Sequence, residues 1–295
     1  MSSEKSRREE STIIAAERAR ASGNHKTSLD ILQKFPFRSD KRRVSKEEAM
    51  SDLRAARIGF HNELSLIRLT ESGTYAKNHL LSAKDYIERF YLTRKYREHL
   101  PKMTEDRSGA PYDMTSELLM DQGIYWKEIY VHLKAPRALS FAKLMYQCAF
   151  HESPYRDVKG ISLIRQGQLP RNIDEKDGYE RIKEGYEKAF PETLFKGNTD
   201  RALWLTRTLF LEAHKRQDEK TEDKAYSHWT IVLKKPVSEN QMKKAILQDK
   251  VEGIRLKKRQ GSFPKTTFDE LWPQTEKEKS RRAYLRKQEE SLQSA

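Results

Sequence analysis

Apolar residues recur at helical spacing along most of the chain, which predicts a mainly α fold. Ser45 and Glu48 have the spacing of a capping box, in which two side chains satisfy the first free amides of a helix. The apolar positions that follow recur every three or four residues: Leu53, Ala56, Phe60, Leu64 and Ile67. We therefore expect a helix over residues 46–69, after which Gly73 interrupts the pattern.

The stretch from residue 115 to residue 150 is the most apolar part of the chain and the best candidate for the centre of its core. Its pattern predicts two helices separated at Pro136, because a proline cannot continue the helix that precedes it. Upstream, the stripe that contains Tyr86 and Phe90 predicts a helix that ends before Pro101.

A short echo, Gly-Tyr-Glu, occurs at Gly178 and again at Gly185, seven residues later. The segment 177–190 places Tyr179, Ile182 and Tyr186 on one helical face, with Phe190 one turn further on. One echo does not make a repeat architecture, which needs several units at longer periods.

The last third of the chain combines two kinds of pattern. Asp200 is placed to begin one helix, and Ser238 with Gln241 forms a second capping box before a helix from residue 239 to about residue 258. Between them, the run Trp-Thr-Ile-Val-Leu at residues 229–233 is short and β-branched, so we expect at most a minor β element near 226–233.

These patterns predict a mainly α fold, with an irregular helical body and extended basic N- and C-terminal segments. We expect four regions: a basic extended tail at 1–44, a helical core at 45–215, a basic strand and helix segment at 216–262, and an extended segment followed by a charged helix at 263–295. The N-terminal segment is rich in serine, arginine and glutamate, with acids that argue against a cleaved presequence.

Charge narrows the range of functions. The 295 residues carry a formal net charge of +14, and 35% of them are charged, which favours attraction to a phosphate-rich surface. The aromatic content, with 13 Tyr and 11 Phe, is too high for a purely disordered chain. A single cysteine rules out an intrachain disulfide, and no stretch approaches the about 18 apolar residues of a membrane-spanning helix.

Sequence motifs give no indication of catalysis. The chain lacks a phosphate-binding glycine loop, a nucleophile elbow and a zinc-protease helix. Cys148 and His151 are three residues apart, but on so aromatic a segment this pair is typical of core packing. We therefore expect no catalytic residue, no metal site and no cofactor.

Three basic clusters are the remaining functional signal. A row of lysines on one helix would neutralise phosphates without reading a base sequence. The candidate nucleic-acid-binding residues are Arg38, Lys41, Arg42, Arg43, Lys234, Lys235, Lys243, Lys244, Lys250, Arg255, Lys257, Lys258, Arg259, Arg281 and Arg282. The alternative is that these side chains only solubilise exposed helices.

Two extended segments carry aromatic residues that are candidates for docking a partner. Phe35 and Phe37 flank Pro36, and Phe263, Phe268 and Trp272 lie near the C-terminus. The aromatics of the second segment can also stack on unpaired bases. For the first segment, an ordinary loop whose aromatics cover the edge of a core is an equal alternative.

The hypothesis that follows is a non-catalytic structural subunit of a large ribonucleoprotein, such as a mitochondrial ribosome, that binds ribosomal RNA or another polyanion and neighbouring protein subunits. Its location would then be intracellular, in the mitochondrial matrix. The alternatives are an accessory subunit of a mitochondrial membrane complex, respiratory or ATP synthase, or a cytoplasmic protein bound to filaments or microtubules. Acidic protein and lipid surfaces attract positive charge too, so charge alone does not separate these classes.

Overall fold

A computed structural model describes residues 2–38, 43–91, 96, 98–99, 104–105, 111–112, 114–170 and 176–262. The helices are α1 (Ser2–Ala21), α2 (His25–Gln33), α3 (Lys46–Leu69), α4 (Gly73–Tyr86), α5 (Met114–Leu133), α6 (Pro136–Glu152), α7 (Arg156–Gly167), α8 (Lys176–Phe195), α9 (Thr199–Arg216), α10 (Glu219–Leu233) and α11 (Glu239–Ser262). A π-helical turn at Ile87–Tyr91 continues α4, and the short strands β1 (Thr104–Glu105) and β2 (Pro111–Tyr112) pair antiparallel. The mainly α prediction is confirmed.

The chain divides into two compact units. Unit 1 comprises Met1–Lys102, His132–Ala135 and Arg255–Ala295, and unit 2 comprises Met103–Val131 and Pro136–Ile254. In unit 1, helices α1, α2 and α3 pack on one another and α4 packs on α3. In unit 2, each helix from α6 to α9 packs on the helix that follows it.

The prediction of an extended N-terminal tail is wrong for the described residues of that segment, because they form α1 and α2. Ile13 and Ala16 of α1 and Leu32 of α2 are fully buried, and they pack with Phe35 against α3. The charged residues of α1 gave the segment the composition of a tail, but Ile13 and Ala16 lie on the side that meets α2 and α3. The C-terminal segment 263–295 lies outside the described residues.

Residues 226–233, for which the sequence allowed at most a minor β element, belong to α10 and contain no strand. Trp229 and Val232 are buried while Ile231 is exposed, which is the spacing of one helical face. Asp218 begins the helix by accepting a hydrogen bond from the amide of Thr221, and this cap lies outside the stretch of β-branched residues. Tertiary burial and the cap therefore outweigh the local β preference.

Four glycines bring α7 and α8 into direct backbone contact within unit 2. A Cβ on Gly160 would overlap the carbonyl oxygen of Gly185, and the reverse substitution would overlap Gly160 in the same way. The same contact recurs seven positions later in α7 and seven positions earlier in α8. A Cβ on Gly167 would overlap the carbonyl oxygen of Gly178. The echo at Gly178 and Gly185 thus marks the places where two helices meet without a side chain between them.

Candidate polyanion-binding surface

The structure removes Arg38 from the candidate binding residues, because its side chain is only 4% exposed. Its guanidinium forms ion pairs with Glu9 of α1 and with Glu48 and Asp52 of α3, at 2.9 Å from Glu48 and 2.6 Å from Asp52. Tyr96 also donates a hydrogen bond to Asp52 at 2.8 Å. An arginine held by three buried or half-buried carboxylates is not available to a phosphate, so this part of the prediction is wrong.

Opposing effects set the pKa of Asp52 in this cluster. Burial raises the pKa of its carboxyl group above the ordinary value, whereas the backbone amide of Arg38, the Tyr96 hydroxyl and the Arg38 guanidinium lower it. For Arg38, burial acts against the charge but is outweighed by Glu9 and Asp52, so its pKa is raised. The guanidinium therefore stays charged, and it compensates the carboxylates that the fold buries.

Phe35 and Phe37 do not form an exposed docking peptide. Phe35 is 4% exposed, and its ring centroid lies 4.8 Å from that of Phe37. Phe37 also contacts Phe90, with a centroid separation of 4.7 Å. Both rings pack inside unit 1, which is the alternative of a loop that covers the edge of the core.

Arg259 is the second candidate that lies in the interior, at 2% exposure. Its guanidinium donates hydrogen bonds to the backbone oxygens of Arg68 and Thr70, at 3.2 and 2.8 Å. These carbonyls are at the C-terminus of α3, where the last turn has no intrahelical partners and a positive charge is favourable. The neighbouring Lys258 pairs with Glu71 at 2.9 Å.

The lysines of unit 2 are arranged differently from these buried arginines. Five of them are exposed at the turn between α10 and α11 and along α11: Lys234, Lys235, Lys243, Lys244 and Lys250. We call this set the lysine surface. Lys243 pairs with Glu239 at 2.5 Å, and no ion pair with another described residue holds Lys234, Lys235, Lys244 or Lys250. The surface can therefore offer ammonium groups to a polyanion.

The other predicted residues fall into two groups. Arg43 and Lys257 are exposed, and Arg255 is half-buried near Glu71, where its charge helps to lower the pKa of that carboxyl group. Seven candidates lie outside the described residues: Lys41, Arg42, Phe263, Phe268, Trp272, Arg281 and Arg282.

Helix α11 is fixed to unit 2 by the side opposite the exposed lysines. Ala245 is buried in the core, and Met242 and Ile246 pack against the same cluster. Asp249 forms an ion pair with Lys215 of α9 at 3.1 Å. Burial lowers the pKa of Lys215, but Glu212 and Asp249 outweigh it and raise the pKa, so the ammonium group stays charged.

A second group of charges connects α5, α7, α8 and α9. Asp157 of α7 accepts hydrogen bonds from Lys196 at 2.9 Å, and Lys196 also pairs with Glu192 at 2.7 Å. Arg201 of α9 pairs with Glu117 of α5 at 2.5 Å. Burial acts to lower the pKa of Lys196, but its two carboxylate partners raise it. Each carboxylate of this cluster has a cationic partner, and the ion pairs connect the four helices.

His228 of unit 2 is stacked on an aromatic ring. The imidazole of His228 lies parallel to the ring of Phe190 at 4.5 Å, and its Nδ1 is 2.8 Å from the Tyr186 hydroxyl. Burial lowers the pKa of His228, and Lys224 adds to this effect. Burial also raises the pKa of Tyr186, so its hydroxyl group stays protonated beside the imidazole.

The sequence patterns did not identify one exposed feature of α11. Leu247 and Ile254 are 61% and 55% exposed, and Val251 lies between them in a half-buried position. The signal was present in the sequence as an aliphatic spacing of four and then three residues. It was hidden because the buried positions of the same helix are also aliphatic.

Comparison with known proteins finds no family model, no curated protein and no solved structure that matches the chain. Among the described residues, no three side chains of histidine, cysteine, aspartate or glutamate are grouped so that they could hold a metal ion. Within the same ranges, every helix is too short or too polar to span a bilayer.

Proposed function

We propose that this protein is a non-catalytic structural subunit of a large ribonucleoprotein, such as a mitochondrial ribosome. It binds RNA through the phosphate backbone, with Lys234 and Lys235 of the lysine surface as its main contact among the described residues. The helical units provide rigid bodies that pack against neighbouring subunits. The net charge of +14 supports this function because it attracts polyanions over a long range.

One observation carries the proposal: the protein uses its lysines and its buried arginines for different purposes. Arg38 pairs with internal carboxylates and Arg259 donates to backbone carbonyls, so neither buried guanidinium is accessible to a phosphate. Lys234 and Lys235 are exposed, and no described carboxylate pairs with them. Charges left without an acidic partner at the turn between α10 and α11 suit phosphate contacts that position a protein without selecting a base sequence.

The test compares two charge reversals that change the net charge by the same amount. The first variant carries Lys234→Glu and Lys235→Glu, and the control carries Lys26→Glu and Lys34→Glu at exposed positions of unit 1. RNA affinity is measured over a range of salt concentrations. We expect the first variant to bind more weakly and its slope against log salt to fall by about one to two, since each neutralised phosphate contributes roughly 0.7 to 0.9.

Equal weakening of the two variants would contradict the proposal, because only net charge would then matter. The native protein provides a second measurement, by sedimentation from lysate with and without ribonuclease at low and high salt. We expect a large particle that collapses on ribonuclease treatment. A particle that survives ribonuclease would instead favour a respiratory or cytoskeletal assembly.

A further inference from the structure

The outward face of α11 carries a row of aliphatic side chains. Leu247, Val251 and Ile254 follow one another at intervals of four and three residues, so they lie along one line on the helix. We call this row the aliphatic seam. Single exposed apolar residues are normal on a protein surface, but three in a helical line form a continuous apolar strip.

The direction of the seam is fixed by the packing of the rest of the helix. Ala245 is buried, and Asp249 is held by Lys215 at 3.1 Å, so this side of α11 faces α9. The seam is on the other side, where Leu247 and Ile254 keep more than half of their surface in solvent. The row is therefore left without a partner by the described part of the chain.

Lysines stand on both sides of the seam. Lys243 and Lys250 lie one turn before and one turn after Leu247 on one side, and Lys244 lies on the other side. The acidic Glu239 is already paired with Lys243. A partner that fills the seam would therefore meet positive charge on both sides, and acidic residues flanking its own apolar strip would complement it.

The shape of the seam favours a protein helix as its partner over a nucleic acid or a membrane surface. Phosphate binding needs no aliphatic row, and the lysines at the α10–α11 turn serve that purpose without the seam. A helix that lies in a membrane surface presents a broad apolar face with bulky anchors, whereas this strip is one side chain wide. An amphipathic helix docks through anchors at positions i, i+4 and i+7, which is the spacing of the seam.

We propose that the aliphatic seam of α11 docks an acidic amphipathic helix of a partner protein. The partner places its apolar stripe on Leu247, Val251 and Ile254, and its flanking carboxylates face Lys243, Lys244 and Lys250. This interaction is independent of RNA binding through Lys234 and Lys235, since the seam lies further along α11. It identifies the chemistry of one neighbour in the assembly.

The experiment uses the full chain, expressed in its own cells with a photoreactive benzophenone amino acid in place of Leu247. A second protein carries the same group in place of Ile231, which is an equally exposed aliphatic residue of unit 2 at 55%. After irradiation, the crosslinked peptide is sequenced. The proposal expects position 247 to yield a protein segment with leucines or similar residues at helical spacing and acids beside them, and position 231 not to yield that segment.

Charge reversal provides the second arm. When Lys243→Glu and Lys250→Glu are added, we expect the yield of the crosslinked segment to fall about tenfold. The carboxylates of the partner helix would then face glutamates instead of lysines beside the seam. Lys234→Glu with Lys235→Glu should leave this yield unchanged.

Crosslinks from position 247 to RNA, to lipid, to this chain itself or to a basic segment would overturn the proposal, and so would the absence of any crosslink. Loss of RNA binding with an intact crosslink would affect only the proposed function.

Discussion

The Arg38 cluster of unit 1 and the contact between α7 and α8 of unit 2 are stabilised by different chemistry. In the first, the Arg38 guanidinium is held by Glu9, Glu48 and Asp52, which are buried or half-buried. In the second, two helices touch through glycines beside the aromatic and aliphatic core of unit 2. Each charge of the cluster needs its partner, whereas the contact between α7 and α8 needs residues of the correct volume.

This difference predicts two opposite sensitivities. Removing one member of a buried ion cluster leaves the others uncompensated, and this costs more than the cluster contributes. Adding atoms where backbones touch forces helices apart, although no charge is disturbed. The Arg38 cluster should therefore respond most to changes of charge, and the contact between α7 and α8 most to changes of size.

The largest expected effect is that of Arg38→Met in unit 1. Methionine keeps much of the length of the side chain but leaves the carboxylates of Glu9 and Asp52 buried without a cation. We expect the free energy of unfolding to fall by about 3–5 kcal/mol. Thermal and denaturant unfolding, followed by circular dichroism, measure this change.

Arg54→Met is the matched control, because Arg54 pairs with Glu10 at 3.1 Å and Glu17 at 3.6 Å in a half-exposed position. Solvent screens such pairs, so we expect a loss of less than about 1 kcal/mol. Similar losses for the two variants would show that unit 1 does not depend on its internal charges in this way.

The next effect is that of Gly160→Val in unit 2. The added Cβ would overlap the carbonyl oxygen of Gly185, so α7 and α8 must separate along much of their length. We expect the free energy of unfolding to fall by about 3 kcal/mol, at the upper end of the range for overpacking. Urea denaturation monitored by tryptophan fluorescence follows this unit through Trp229, which lies in its core.

Gly253→Ala is the control for the loss of a helical glycine. A Cβ at Gly253 has no neighbour within 4 Å, so the substitution in α11 should stabilise the helix by about 0.5–1 kcal/mol. A neutral or stabilising Gly160→Val would contradict the glycine contact between α7 and α8.

The smallest expected effect is a dependence of the stability of unit 2 on pH, through His228. Because burial and Lys224 lower the pKa of its imidazole, the unfolded chain binds the proton more tightly than the folded protein. The contribution of His228 to the free energy of unfolding is therefore fully present above the ordinary pKa of histidine. It is lost as the pH falls from there through the pKa of His228 in the folded protein. His228→Phe keeps the stacking on Phe190 and removes the proton site, so we expect a flatter profile from pH-dependent thermal unfolding.

Helices with strong local signals could be predicted from the sequence. The capping box of Ser45 and Glu48 is present, and α3 spans Lys46–Leu69 as expected. The predicted separation at Pro136 is confirmed, because α6 begins there after α5 has ended at Leu133. These features depend on neighbouring residues alone, so a local pattern is sufficient to identify them.

Features that depend on distant residues could not be predicted. Arg38 belongs to a basic run, and only the meeting of Glu9 with Asp52 across 43 positions of sequence shows that it is internal. Arg259 likewise finds its partners at Arg68 and Thr70. Charge patterns identify candidate binding residues, but the fold decides which of them remain exposed.

The glycine contacts also determine how α7 and α8 can align. Gly160 faces Gly185, and Gly167 faces Gly178, so both pairs match in a single antiparallel register. A slip of one to six residues would place a side chain against a backbone, and a slip of seven, about 10 Å, would keep only one pair. The four glycines therefore allow only one alignment of the two helices during folding.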